Sequence, residues 1–403
     1  MRALAIATTA PDGASANQTG STNWTLRLCK TLNCQHDVTL ITPPPIEEPW
    51  IHSSGITLLC HDVDKGGSRL SRLFKSFFYG IYPSIWTLYS SQTSLFLREL
   101  TEGSFDVCWL LDDYAGIYLR DLPTFLPAIF VRHYLLSMQE TFHKGNPELI
   151  GYAKSFYHKR TALAFDKWTT LRAAVVTLGT QESAAFLKRE FPSSSIEYLP
   201  TKPSTLPQPS PPEKIEHPLR QDKRLVALYL ADMSFIRNAE GAQWFIEKTL
   251  PRIPVEVRQQ YHFQFVGRRP EPLPDIHNLP EGTSVEFTGF VDDLTETLHS
   301  AQVAFIPVFG GNGIRLKTLT LLGTGLPTIS TKDALEGLEI VDGQDVFIAN
   351  TPEGFADSFQ KMLRPRVRLS MHKNSLRYMK KFLGEEEDAQ LLFSLSKAAL
   401  GKT

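Results

Sequence analysis

Pro307-Val308-Phe309-Gly310-Gly311-Asn312-Gly313-Ile314-Arg315-Leu316-Lys317 follows directly on the strand-like run Val303-Ala304-Phe305-Ile306. Three glycines fall within four residues, and a segment of helical spacing, Ile314 to Gly323, comes next. The order is strand, glycine turn, helix N-terminus. Glycine lets a backbone approach a ligand closely. The free N–H groups and dipole of a helix's first turn favour an anion. Arg315 and Lys317 place two cations at the same end, and these are the usual partners of phosphate. The alternative is an ordinary glycine-rich connection flanked by solvated basic residues.

Downstream the chain runs through Gly323-Thr324-Gly325-Leu326-Pro327, the strand end Thr328-Ile329-Ser330-Thr331 and the turn Glu336-Gly337-Leu338. In order and spacing this resembles the C-terminal domain of retaining glycosyltransferases of family four. Their pattern is a glycine cluster, Arg-Leu-Lys, a helix, Gly-x-Pro, a Val/Ile-Ser-Thr strand end and Glu-Gly-Leu. The resemblance implies an α/β protein of the GT-B fold, with two Rossmann-like α/β/α domains facing an interdomain cleft. It also implies a nucleoside diphosphate sugar as donor, retention of anomeric configuration, and a glycan, lipid-linked or protein acceptor.

Length and composition agree with two soluble domains. A chain of 403 residues is too long for one ordinary core. Hydrophobic residues at 42% and charged residues at 21% are globular values. A formal net charge of -1 gives no electrostatic reason to expect nucleic acid. Cys29, Cys34, Cys60 and Cys108 have neither CxxC nor zinc spacing, which suggests a reducing, cytoplasmic compartment. Met1 to Thr9 lacks the basic start and long apolar core of a signal peptide. No run approaches the ~20 apolar residues of a membrane span.

Along the chain, Arg2–Thr8, Asp37–Thr42, Phe105–Leu111, Pro127–Val131, Ala173–Leu178 and Ile196–Pro200 read as strands, with helices at Ser21–Leu32, 148–172 and Ser183–Glu190. The first turn is not a G-x-G-x-x-G fingerprint, which disfavours a dinucleotide-binding enzyme. Residues 69–80 contain an amphipathic stretch. It is either a helix packed on its own domain or a weak membrane contact of a peripheral protein at the inner membrane face. Six prolines between residues 201 and 218 read as a stiff, solvated linker. The expected divisions are therefore an acceptor-side domain at 1–200, the linker at 201–218, and a nucleotide-sugar domain at 219–384. A last helix at 385–403 is expected to cross back to the first domain, as it often does in this fold.

The second series has strands at Leu225–Leu230, His262–Gly267, Ser284–Gly289 and Asp345–Ala349, and helices at Ala239–Leu250 and Thr351–Leu363. Ala231-Asp232-Met233-Ser234-Phe235-Ile236-Arg237-Asn238 resembles the family's Gly-Ser-Met-x-Trp-x-Pro-Asn loop beside the donor phosphates, which makes Arg237 a third candidate cation; an exposed surface arginine is the alternative. Gly310, Gly311, Asn312, Gly313, Glu336, Gly337 and Leu338 are the other donor-side positions, with Gly20 at the opening of the first helix. Gly20-Ser21 is equally well a plain helix start capped by Ser21. His133 follows a strand end where the family's histidine contacts the transferred sugar. Tyr134 replaces the usual asparagine, so only His133 carries over.

No cofactor or metal is expected, because two cations would meet the charge of the leaving diphosphate. Asp62-Val63-Asp64 has the spelling of a metal motif but falls early, in a polar stretch. One departure bears on activity. The family's ribose-binding glutamate falls at Thr320, and the earlier glutamate of other subfamilies falls at Asn312. A hydroxyl makes one neutral bond where a carboxylate makes two charge-assisted ones. The second reading is therefore a non-catalytic nucleotide- or glycan-binding relative, and the third a nucleotide-sugar epimerase of the same fold.

Overall fold

The computed structural model describes residues 1–10, 20–44, 49–64, 68, 71–72, 74–75, 83–133, 135–138, 149–217, 222–269, 279–291, 294–310 and 313–402. The chain divides into two compact units, Met1–Ser204 with Glu385–Thr403, and Thr205–Gly384.

The first unit holds a seven-stranded sheet in the order β3-β2-β1-β4-β5-β6-β7. Its strands are β1 Arg2–Ile6, β2 Asp37–Thr42, β3 Thr57–Cys60, β4 Val107–Leu110, β5 Ala128–Arg132, β6 Val175–Leu178 and β7 Ile196–Tyr198. The second unit holds six, in the order β10-β9-β8-β11-β12-β13. These are β8 Leu225–Leu230, β9 Tyr261–Val266, β10 Val285–Gly289, β11 Val303–Ile306, β12 Thr328–Ser330 and β13 Phe347–Ile348. Every pairing in both sheets is parallel. The central strands β4, β5, β6 and β11 are buried at every residue, which is why they read as unbroken apolar runs. Strand order reverses between β1 and β4 and again between β8 and β11. A sheet of this kind opens a crevice at the carboxyl ends of its strands at that reversal.

The second core is built on aromatic rings. Phe245 stacks on Phe305 with ring centroids 4.2 Å apart, and Phe263, Phe265 and Phe359 meet them edge-on or tilted. The first core sits on both faces of its sheet and takes in Leu392, Leu395 and Ala399 from the terminal helix Glu385–Leu400. Polar contacts fasten that helix. Ser396 Oγ lies 2.9 Å from His36 Nε2 and accepts from Trp109 Nε1 at 3.3 Å. Asp388 accepts from Arg27 at 2.7 Å and from Lys202 at 2.6 Å, all three side chains being less than a tenth exposed.

Several elements differ from the sequence reading. The proline-rich stretch is not a free, solvated tether. Thr201, Lys202 and Pro203 are buried in the first unit; Ser210 and Ile215 are buried in the second, where Pro212–Glu216 forms a helical turn. The helix expected at Ala239–Leu250 runs from Ile236 to Trp244, then widens into a π turn at Phe245–Thr249. Pro251 ends it, having no N–H to give. The last strand shortens to Phe347–Ile348, because the Asp345 carboxylate turns back to accept the N–H of Val341 at 2.9 Å. The helix Pro365–Phe382 was not anticipated at all. Its dense basic residues hide the apolar spacing, though Pro365 at its first turn is a sound start signal. The amphipathic segment at 69–80 lies largely outside the described residues.

Removing one partner of a buried ion pair leaves an uncompensated charge. Asp388→Ala removes the carboxylate that Arg27 and Lys202 share, and is expected to cost the first unit about 3–5 kcal/mol. Urea unfolding followed by a probe in that unit checks it; an unchanged midpoint would show that the triad contributes nothing.

Candidate functional site

At the reversal between β8 and β11, the segments leaving the two strands carry the chemistry. β8 leads through Ala231–Phe235 into the helix Ile236–Trp244. β11 leads through Pro307–Gly310 to the helix Leu316–Gly323, with Arg315 as its N-cap residue and no side-chain cap on that end. Gly310 and Gly313 have φ of 64° and 92°, a left-handed backbone that any side chain would strain. Arg315 Nη2 donates to the Gly310 carbonyl, so the glycine loop closes on its own arginine. The Gly310 N–H donates to Asp333 Oδ2 at 2.7 Å, anchoring the loop to the segment after β12. Gly311 and Asn312 lie outside the described residues.

Lys317 is the centre of the arrangement. Its Nζ donates to Asn238 Oδ1 at 2.7 Å and lies 5.3 Å from the centre of the Tyr229 ring. Asn238 has no freedom to turn. Its Nδ2 donates to the Asp232 carbonyl at 2.7 Å, and its own carbonyl accepts from the Tyr229 hydroxyl at 3.0 Å. The amide oxygen therefore faces the ammonium and orients it by a dipole, leaving its charge intact. Burial, with Arg315 adding to it, brings the Lys317 ammonium down to about 7. Burial likewise lowers Arg315; Glu336 and Asp333 oppose that and Arg237 adds to it. The Arg315 Nε is buried and has no hydrogen-bond partner among the described residues. Arg237 donates to the Phe309 carbonyl at 3.4 Å. Three cations thus share one electrostatic neighbourhood, and an anion offered there would relieve both their repulsion and their desolvation.

The other donor-side positions divide. Glu336 lies within electrostatic reach of Arg315, directly after the 3-10 turn Asp333–Leu335. Gly337 has φ of 76°, and Leu338 packs with Leu319, Leu322 and Leu335, a structural task. Thr320 is one turn into its helix; its carbonyl accepts from the N–H of Thr324 at 3.1 Å, and no described contact joins it to the cations. Sequence reading did not single out Asn238, Tyr229 or Asp333 for a role. Asn238 stands in the quoted loop, but its partnership with Lys317 spans 79 positions and is a product of the fold.

The first unit places His133 at the carboxyl end of β5. Asp113 Oδ2 lies 3.0 Å from its Nδ1 and 3.4 Å from its backbone N–H. Nδ1 is therefore the donor to the carboxylate, and the ring's other nitrogen, Nε2, is buried without a partner among the described residues. Arg132 beside it is wholly buried, at 2.5 Å from Asp166 and 3.7 Å from Asp113. Gly20 is the first residue of the helix Gly20–Asn33. Asp64 accepts the N–H of Ser91 at 2.8 Å, at the first residue of the helix Ser91–Arg98. Among the described residues no group of three His, Cys, Asp or Glu is placed to hold a metal, and no helix is long and apolar enough to cross a membrane. Two cavities of about 410 and 400 Å³ are lined by residues such as Leu122 with Arg172 and Trp50 with Lys30; neither includes the cation cluster.

Residues 224–365 match a family described as glycosyl transferases group 1. Comparison with curated proteins gives no match. Among solved structures, HepE of Anabaena in complex with UDP is similar over 99% of this chain and 100% of its own, at 12% identity and a TM-score of 0.63. Sucrose-phosphate synthase of Thermosynechococcus elongatus is similar over the whole of both chains, at 14% identity and 0.63. WaaG, a glycosyltransferase involved in lipopolysaccharide biosynthesis, is similar over 96% of this chain and 99% of its own, at 13% and 0.59. The family match lies within the second unit, around the very strands and loops that carry the cations. The chain has the GT-B fold, and its residues 224–365 match the glycosyl transferases group 1 family.

Proposed function

We propose that the protein transfers a sugar from a nucleoside diphosphate sugar to a glycan or lipid-linked acceptor, with retention of anomeric configuration and without a metal. The observation that carries this reading is the Arg315–Lys317 pair, held by Gly310 and Asn238 at the reversal of the second sheet. The family match over these residues and the likeness to a UDP-bound structure support it. As the anomeric bond breaks, negative charge grows on the departing phosphate. Fixed cations in a poorly solvated site stabilise that charge more than the ground state. No enzyme nucleophile is assigned. His133, held by Asp113 with Nε2 as acceptor, suits a hydroxyl of the transferred sugar.

Thr320 favours a second reading, a nucleotide-binding relative without turnover, because no carboxylate stands there for the ribose. Incubation with UDP-, GDP- and ADP-sugars separates the two: slow release of nucleoside diphosphate marks a transferase, and binding without release marks the relative.

Arg315→Ala and Lys317→Ala are each expected to lower turnover roughly a hundredfold. The double variant should lose less than the product of the two, since both serve one phosphate site. Normal turnover in both single variants would remove the pair from the mechanism. Turnover is also expected to survive EDTA; loss on chelation and recovery with Mg²⁺ or Mn²⁺ would overturn the metal-free reading.

The pH dependence follows from Lys317. With its ammonium at about 7 in the free protein, the amine is mostly neutral at pH 8, and a bound dianion raises it. The terminal phosphate of UDP, with its own pKa of about 6, is already ionised there. Binding should therefore take up as much as about one proton at pH 8, read from titration heats in buffers of different ionisation enthalpy. Affinity should fall as pH rises above 7. Lys317→Met should abolish the uptake; equal buffer dependence in that variant would exclude Lys317 as its source.

A further inference from the structure

The helix Pro365–Phe382 has two faces of unlike chemistry. Arg368, Met371, His372, Ser375 and Met379 are buried against the second unit. Arg368 spends its guanidinium on the carbonyls of Ile215, Glu216 and Met362, and His372 meets the Gly325 carbonyl at 2.8 Å. On the opposite side Arg366, Lys373, Arg377, Lys380 and Lys381 are all exposed. At 100° per residue these five fall within an arc of about 100°, in a stripe about 22 Å long.

Among the described residues no ion pair neutralises the stripe. No aspartate or glutamate occurs from residue 358 to 384. Among the described residues none of the five forms an ion pair, and Glu386 and Glu387, next along the chain, form none with it. Arg377 only donates to the amide oxygen of Asn374, at 2.9 Å. Lys373, Arg377 and Lys381 stand four residues apart, where like charges repel. Arg366 stands in the first turn, against the helix dipole. Lys380 and Lys381 suit the dipole at the last turn, but the row as a whole repels itself.

We propose that this stripe docks the second unit on a lipid surface bearing anionic phosphate headgroups. The row is a convex ridge along one helix. It has no aromatic ring among its charges; Tyr378 and Phe382 stack on each other, half-buried. Strands of nucleic acid are gripped in grooves with stacking platforms. A straight cationic ridge instead meets a plane of phosphates, and each Lys or Arg near an anionic bilayer adds to the attraction. The proposal is independent of the reading of the cation cluster around Lys317.

Sedimentation with vesicles tests it. The protein should pellet with phosphatidylcholine vesicles containing phosphatidylglycerol at about 0.05 M NaCl, stay soluble with phosphatidylcholine alone, and be released at about 0.5 M. The triple variant Lys373→Glu/Arg377→Glu/Lys380→Glu should bind at least tenfold more weakly. It should unfold at the wild-type temperature, since its three side chains are exposed. Lys188→Glu/Arg189→Glu, an equal kind of change on the exposed side of Gln181–Glu190, should bind as wild type. Failure of the wild type to pellet, wild-type binding by the triple variant, or retention on heparin without vesicle binding would each overturn the proposal.

Discussion

Parallel pairing is the constraint on which the rest of this structure depends. In a parallel sheet every strand delivers the chain to the same edge, and every return runs back over a face. Polar loops therefore collect at one edge of each sheet, while the opposite edge receives only the returning segments. Where strand order reverses, adjacent loops turn away from each other and leave room between them. In the second unit that room is bordered by Asp232–Asn238 and Pro307–Gly310. In the first, Thr8 bonds the Asp112 carboxylate across the corresponding gap between β1 and β4. The topology, before any chemistry, decides where chemistry can be placed.

What the second unit places there is costly to its own stability. Lys317 is removed from water beside a neutral amide and a ring, and among the described residues Arg315 keeps a buried N–H unpaired. A carboxylate at Asn238 would have paired with the lysine and made the empty site more comfortable. It would also have cancelled the charge that a phosphate would seek. The amide holds the amine in position without cancelling the charge it carries when protonated, a compromise expected where a site is arranged for a ligand.

The parts of the fold legible in sequence were those encoded locally. Buried strands such as Val303–Ile306 and Val175–Leu178 announce themselves as apolar runs, and the glycines at 310 and 313 mark a backbone few other residues adopt. Arg315 and Lys317 were readable because they adjoin those glycines. Asn238 was not, because its meaning lies in an amide fixed by Asp232 and Tyr229 and aimed at a residue on another crossover. Asp113 was hidden for the same reason, since its bond to His133 joins the ends of two strands. The helix Pro365–Phe382 escaped because its charged face outweighs its apolar one in composition. The prolines of 203–212 misled in the other direction. They mark extended backbone, which packs against a surface as readily as it crosses solvent.

The membership of the two units has a consequence for synthesis. The second unit is one continuous stretch, so it is complete once residue 384 has left the ribosome. The first is not. Leu392, Leu395 and Ala399 belong to its core, and Asp388 answers Arg27 and Lys202, yet all are made after the second unit. The segment made first must wait, with part of its apolar core uncovered, until residues 385–400 have emerged. The unit encoded second can finish folding first. A chain ending at residue 384 would therefore carry a complete second unit and an unfinished first one, whose uncovered apolar surface suits a holding chaperone.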